Sequence, residues 1–186
     1  MKKLLILLAL VPMFYWGCNH TGNENTMTGR DSALATIQNL EHKLYADSSQ
    51  TINPSFATET MIAYARFAHD FPSDTLSPEM LFKAAEIARA IHNGQEAVLY
   101  YDRICQNYPN YEKAPTALFL KAFTYENVLK DTVNAKMSYK AFLKKYPDNQ
   151  FADDAKYSLK YLGKTPEELI QMFEGNAEDT TENSAQ

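Results

Sequence analysis

Glycine is scarce in this sequence, six residues in 186, which excludes a collagen-like architecture. Strand signals are missing too: β-branched residues are sparse and no alternating apolar–polar run appears. Basic charge is in deficit, with 18 Lys and Arg against 23 Asp and Glu and a net charge of −5. That balance argues against a generic nucleic-acid binder, which normally presents a basic face. There is no phosphate loop, no Gly-x-Ser-x-Gly and no His-Glu-x-x-His. His20, His42, His69 and His92 have no metal-ligand spacing among themselves or with Cys105, so neither a metal nor another cofactor is expected. His92 stands beside Asn93-Gly94, where a cation suits a helix C-terminus. What is present is 45% hydrophobic and 22% charged residues, enough for a real core and too little charge for whole-chain disorder.

Lys2 and Lys3 precede an apolar run, Leu4–Trp16, interrupted only by Pro12. As a helix this run rises roughly 20 Å, too short for a hydrocarbon core of roughly 30 Å. It reads as a secretory signal rather than a membrane span. Gly17-Cys18 at its end resembles a bacterial lipoprotein signal, although Tyr15 and Trp16 stand where Leu and a small residue are usual. The resemblance implies cleavage after Gly17 and lipidation of Cys18, and several acyl chains would anchor the chain stably. Asn19 rather than Asp follows, which in the enterobacterial sorting rule favours the outer membrane. Cys105 is then left without a partner, and its place in the pattern Tyr101, Ile104, Cys105 marks it as a small buried hydrophobe.

The chain divides into a signal (1–17), a lipidated cysteine with a flexible tether (18–30), a helical domain (31–174) and a disordered acidic tail (175–186). Helix starts are marked by Asn53-Pro54, Ser77-Pro78 and Thr165-Pro166, each a capping residue before a proline suited to the first helical position. Thr165 and Glu168 have capping-box spacing, and Ala114-Pro115 has the proline without the cap. Pro72, Pro109 and Pro147 each follow an aromatic residue and close a helix. The expected helices are 31–47, 54–71, 78–92, 95–108, 115–129, 132–146, 151–162 and 165–174.

Pro72 to Pro109 spans 37 residues and Pro109 to Pro147 spans 38, a period that signals a solenoid. Pro78 aligns with Pro115, Leu81 with Leu118, Phe82 with Phe119 and Ala85 with Ala122. Counted back from the closing proline, Ala97 aligns with Ala135, Tyr101 with Tyr139 and Ile104 with Phe142. The extra residue falls in the inner turn, beside Asn93-Gly94 and Lys130-Asp131. Small residues let paired helices approach, and each pair leaves an apolar face that the next must cover.

These spacings resemble the tetratricopeptide repeat family, carried by Leu81, Ala85, Ala97, Tyr101 and Pro109 and again by Leu118, Ala122, Ala135, Tyr139 and Pro147. Ala85 and Ala122 replace the usual Gly, and Lys121 is polar where the pattern is apolar. The resemblance implies an all-α, right-handed α–α superhelix of about three helix pairs (31–72 degenerate, 78–109, 115–147) with capping helices over 151–174. Tyr146-Pro147 and the phrase Phe151-Ala152-Asp153-Asp154-Ala155-Lys156-Tyr157 are further similar to repeat lipoproteins of Gram-negative envelopes, both the barrel-assembly and the Tol-Pal-associated kinds.

In that family the first helices line a peptide-binding groove. Here Phe82, Glu86, Arg89, Phe119, Phe123 and Glu126 would line it, with the phenylalanines as an exposed apolar patch; their packing against the chain itself is the other reading. Asp153-Asp154 and Glu167-Glu168 sit at helix starts, where acidic residues belong electrostatically, and an enzymatic use of them is the minor reading. Lys140, Lys144 and Lys145 read as a solvated helix face. The expectation is a non-enzymatic scaffold with no small-molecule substrate, anchored at the outer membrane and facing the periplasm. It would bind a protein or peptide in outer-membrane protein assembly or, alternatively, in coordinating cell-wall synthesis.

Overall fold

In the computed structural model, residues 28–46 and 53–172 are described. They form seven helices: α1 (Gly29–Tyr45), α2 (Pro54–Asp70), α3 (Ser77–Ala90), α4 (Gly94–Asn107), α5 (Ala114–Asn127), α6 (Thr132–Lys145) and α7 (Ala152–Tyr161). A further helical stretch covers 166–172. Each helix packs mainly on the next in chain order, the arrangement of a solenoid of helix pairs. Cys18, the signal and the tail from 175 lie outside the described residues.

Local chemistry sets the ends. The Asn53 side chain accepts from the backbone N–H groups of Ser55 and Phe56, so α2 starts where its cap and proline place it. Thr165 and Glu168 form the reciprocal pair of a capping box, Thr165 N–H to Glu168 at 2.8 Å and Glu168 N–H to Thr165 Oγ1 at 3.2 Å. Ser77 is not a cap. α3 starts one residue earlier than expected, after Leu76, and the buried Ser77 hydroxyl instead donates to the Phe71 carbonyl at 2.6 Å.

The three closing prolines produce one turn three times. Phe71, Tyr108 and Tyr146 sit at φ −125°, −131° and −136° with ψ near 58°, outside the helical region that a following proline disfavours. Asp74 N–H bonds to Phe71 C=O, Tyr111 to Tyr108 and Asn149 to Tyr146; then Ser77 bonds to Asp74, Ala114 to Tyr111 and Ala152 to Asn149. Pro109 and Pro147 are themselves exposed. They stop helices and do not pack, which corrects their expected place among the packing residues.

The inner turns differ as the alignment predicts. Three residues separate α3 from α4 and four separate α5 from α6. Each turn carries a non-glycine residue at positive φ, His92 at 59° and Lys130 at 55°. His92 therefore serves the turn through its backbone. Asn93 and Asp131 follow as N-caps, accepting from Glu96 and Asn134.

Between the turns the repeat positions form the core. Leu81, Ala85, Ala97, Tyr101, Ala122, Ala135 and Tyr139 are fully buried and Leu118 nearly so. The register extends to the degenerate first pair, where Tyr64 and Phe67 occupy the places of Tyr101 and Ile104 and are equally buried. Arg30, just inside α1, donates to Asp74 at 2.5 Å and ties the start of the domain to its first closing turn.

Candidate partner-binding surfaces

A buried phenol needs a hydrogen-bond partner, and leaving one unpaired costs about 1–3 kcal/mol. The tyrosines Tyr64, Tyr101 and Tyr139 meet this need in the same way. Each hydroxyl donates to a glutamate on the preceding helix: Tyr64 to Glu41, Tyr101 to Glu86 at 2.7 Å and Tyr139 to Glu126 at 2.7 Å. Burial first, and then these carboxylates, push all three phenols well above the usual tyrosine range. Cations complete two of the sites, Lys83 reaching Glu41 at 3.0 Å and Arg89 reaching Glu86 at 3.1 Å. For Glu41, burial opposes ionisation, yet Tyr64 and Lys83 outweigh it and hold the carboxyl below its ordinary value.

The expected groove residues converge on this ladder. Phe82, Glu86 and Arg89 meet around Tyr101, with Phe82 edge-on to its ring at 5.9 Å. Phe119 and Glu126 meet around Tyr139. Phe82 and Phe123 are half-buried. Phe119 is 8% exposed and is no part of an open patch. Its ring is covered by Phe151 and edged by Phe142, so it is core. The lids over the two aligned phenylalanines occupy one repeat position: Lys113 Nζ lies 5.2 Å from the Phe82 ring, and Phe151 stacks on Phe119. Lys113 also bonds Glu79 at 2.9 Å, which Tyr111 reaches from the same turn. Most of the polar groups on this face are thus used within the chain. Arg89 Nε is the exception, buried without a hydrogen-bond partner among the described residues.

A second surface is open. Along α6, Val133, Met137 and Ala141 form one exposed row and Lys136, Lys140 and Lys144 another, with Lys145 at the end. Val133 is 68% and Met137 64% exposed. None of the four lysines makes an ion pair with another described residue, and α6 carries no acid. Beside the apolar row lies a groove of about 210 Å³ between α5 and α6, lined by Leu118, Tyr125, Met137 and Ser138. Ser138 stands where the preceding repeat has the buried Tyr100, so a missing ring opens the groove. The sequence reading found three of these lysines but not the surface. The signal lay in two rows at i, i+4 spacing, together with the exchange of Tyr100 for Ser138 in the repeat alignment.

The remaining reactive groups are bland. Burial pushes the half-buried Cys105 thiol up, away from thiolate reactivity. Asp153 is exposed and paired with Lys156 at 2.8 Å, while Glu168 serves the capping box. Among the described residues no group of three His, Cys, Asp or Glu side chains is placed to hold a metal ion, and no helix is long and apolar enough to cross a membrane.

Helix pairs closed by identical turns and stacked on small residues define an all-α solenoid of tetratricopeptide type. The tetratricopeptide repeat family model matches residues 79–111 and 116–149, which are the α3–α4 and α5–α6 pairs with their closing turns. No curated protein matches the chain. Repeats of this type build scaffolds for protein–protein interaction, typically without enzymatic activity.

Proposed function

We propose that the protein is a lipid-anchored adaptor of the cell envelope, held at the outer membrane and facing the periplasm, which holds an acidic polypeptide during outer-membrane protein assembly. The observation that carries the binding mode is the α6 face: four lysines that make no ion pair with another described residue, beside exposed Val133 and Met137 and a groove. Apolar contacts would supply affinity and the lysines would select acidic sequence and speed encounter. Lys2, Lys3, the run Leu4–Trp16 and Gly17-Cys18 support the anchor, and Asn19 supports the outer membrane. The phrase Phe151–Tyr157, similar to barrel-assembly and Tol-Pal-associated lipoproteins alike, supports an envelope role and is shared by both readings.

The test is in-cell photo-crosslinking from Met137, with Phe82 as a second site, followed by mass spectrometry. An acidic barrel-assembly component captured at Met137 is the expected result. A wall synthase or Tol-Pal component would replace the assembly role by coordination of wall synthesis. Crosslinks confined to lipid would overturn polypeptide binding by this face. The anchor has its own test: Cys18→Ala should release the protein from the membrane, and unchanged retention with unchanged precursor processing would disprove lipidation.

A further inference from the structure

A cleft of about 560 Å³ lies between α1 and α2. All of its lining residues belong to α1 and α2. Its lining combines the small side chains of Ala33 and Thr36 from α1 and Ala63 from α2 with the larger Leu40 and Phe67. Its rim carries one large apolar side chain that projects, Ile62, 48% exposed. Knob and hole therefore lie on the same surface, the condition for an isologous contact between identical chains.

The charges obey the same symmetry. Glu59 and Arg66 lie on the lining of α2, to either side of Ile62 and Ala63, and both are exposed. Neither forms an ion pair with a described residue; Glu59 only accepts a hydrogen bond from Ser55 at 3.2 Å. Consider two copies of α2 crossing antiparallel with the two-fold axis between positions 62 and 63. Ile62 of one copy then opposes Ala63 of the other, a large side chain against a small one. Glu59 of one copy opposes Arg66 of the other, and the axis repeats both contacts. A register shifted by a full turn loses this pairing, so the charges fix orientation as well as partner.

We propose that the α1–α2 face pairs with the same face of a second copy of this chain, seating each Ile62 in the partner cleft and closing two reciprocal Glu59–Arg66 ion pairs. This dimer is independent of the binding mode proposed for α6, whose exposed rows lie on a different helix.

Sedimentation equilibrium on the full chain in detergent tests it. The wild type should be dimeric. Glu59→Arg alone and Arg66→Glu alone should each weaken self-association by about tenfold or more, because each sets like charges against each other twice. An equimolar mixture of the two variants should restore association. In the mixed dimer the arginine introduced at position 59 meets the glutamate introduced at position 66, and the native Arg66 of one chain meets the native Glu59 of the other. That rescue also shows that both variants are folded, and the lipid is common to every sample. Ile62→Lys should give monomer without rescue by either charge variant. A monomeric wild type across the micromolar range would overturn the proposal. So would charge variants that associate as well as the wild type, or a mixture that shows no rescue. Any of these results would assign the cleft to another occupant, the residues preceding Thr28 or a foreign helix.

Discussion

Phe151 lies flat on Phe119, with ring centroids 4.8 Å apart and planes 12° from parallel. Tyr139 and Phe142 meet the same ring at 5.8 and 5.6 Å, so one phenylalanine joins α5, α6 and the start of α7. The first-helix face expected to hold a peptide is here sealed by the next unit of the solenoid. Phe151→Ala should cost about 2–3 kcal/mol, less than a fully buried phenylalanine because Phe151 is half-exposed. Phe151→Lys, which copies Lys113 over Phe82, should cost less than the alanine. Urea midpoints at unchanged m would check both, and equal losses would mean that the lid position has no repeat-specific role.

Tyr101 presents a second test of self-satisfaction. Its hydroxyl is fully buried between α3 and α4 and donates to Glu86, which also holds Arg89. Tyr101→Phe should destabilise by about 1–2 kcal/mol, because packing is kept while a charge-assisted hydrogen bond is lost. Glu86→Gln keeps an acceptor and should cost less. A neutral Tyr101→Phe would show that water replaces the phenol at Glu86.

Acid should loosen the domain through two glutamates. Tyr64 and Lys83 hold Glu41, and Tyr111 and Lys113 hold Glu79, below the ordinary glutamate value of 4.5 against the opposing effect of burial. The folded values lie below the unfolded ones, so the contribution is fully present above about pH 4.5 and is lost as pH falls through the folded values. Thermal stability should therefore decline over that window. A Glu41→Gln, Glu79→Gln double variant should decline less steeply, and an identical profile would remove these two sites from the acid response.

Helix boundaries were legible because their causes are local. A proline after an aromatic residue ends a helix whatever surrounds it, and the three closing turns match in hydrogen bonds as well as in sequence. The core was legible because repeat spacing marks positions that every pair must bury: Tyr64, Tyr101 and Tyr139 are found by counting back from a proline. Ser77 misled because capping depends on where the helix starts, and the closing turn delivers the chain one residue early. Phe119 misled because its exposure is decided by Phe151 in the next unit, and no local pattern reports that. The α6 face was half legible: its lysine spacing is plain in the sequence, but its opening depends on Ser138 being smaller than Tyr100. The cleft between α1 and α2 carried no sequence signal, since small residues in a degenerate repeat look the same whether covered or open.

The inner turns give a paired prediction of opposite sign. Gly94 begins α4 beneath the next inner turn, and a Cβ there would lie 2.8 Å from Leu129 Cγ and Cδ2 and 2.9 Å from Val128 Cγ1. In an open helix, Gly→Ala gains about 1 kcal/mol of propensity. Here the methyl must displace packed side chains, which costs about 1–3 kcal/mol. Gly94→Ala should therefore be destabilising, and only close approach explains that sign, because this glycine does not have positive φ. Lys130, in the neighbouring turn, has the converse problem. Its φ of 55° strains a residue with a Cβ by about 1–2 kcal/mol, and it is exposed with no side-chain partner among the described residues. Lys130→Gly should thus stabilise, by somewhat less than that strain because glycine also gains freedom in the unfolded chain. Chemical denaturation of the two variants separates the effects. A stabilising Gly94→Ala would mean that Val128 and Leu129 swing aside freely, and the stacking of inner turns would then contribute little to holding successive repeats in register.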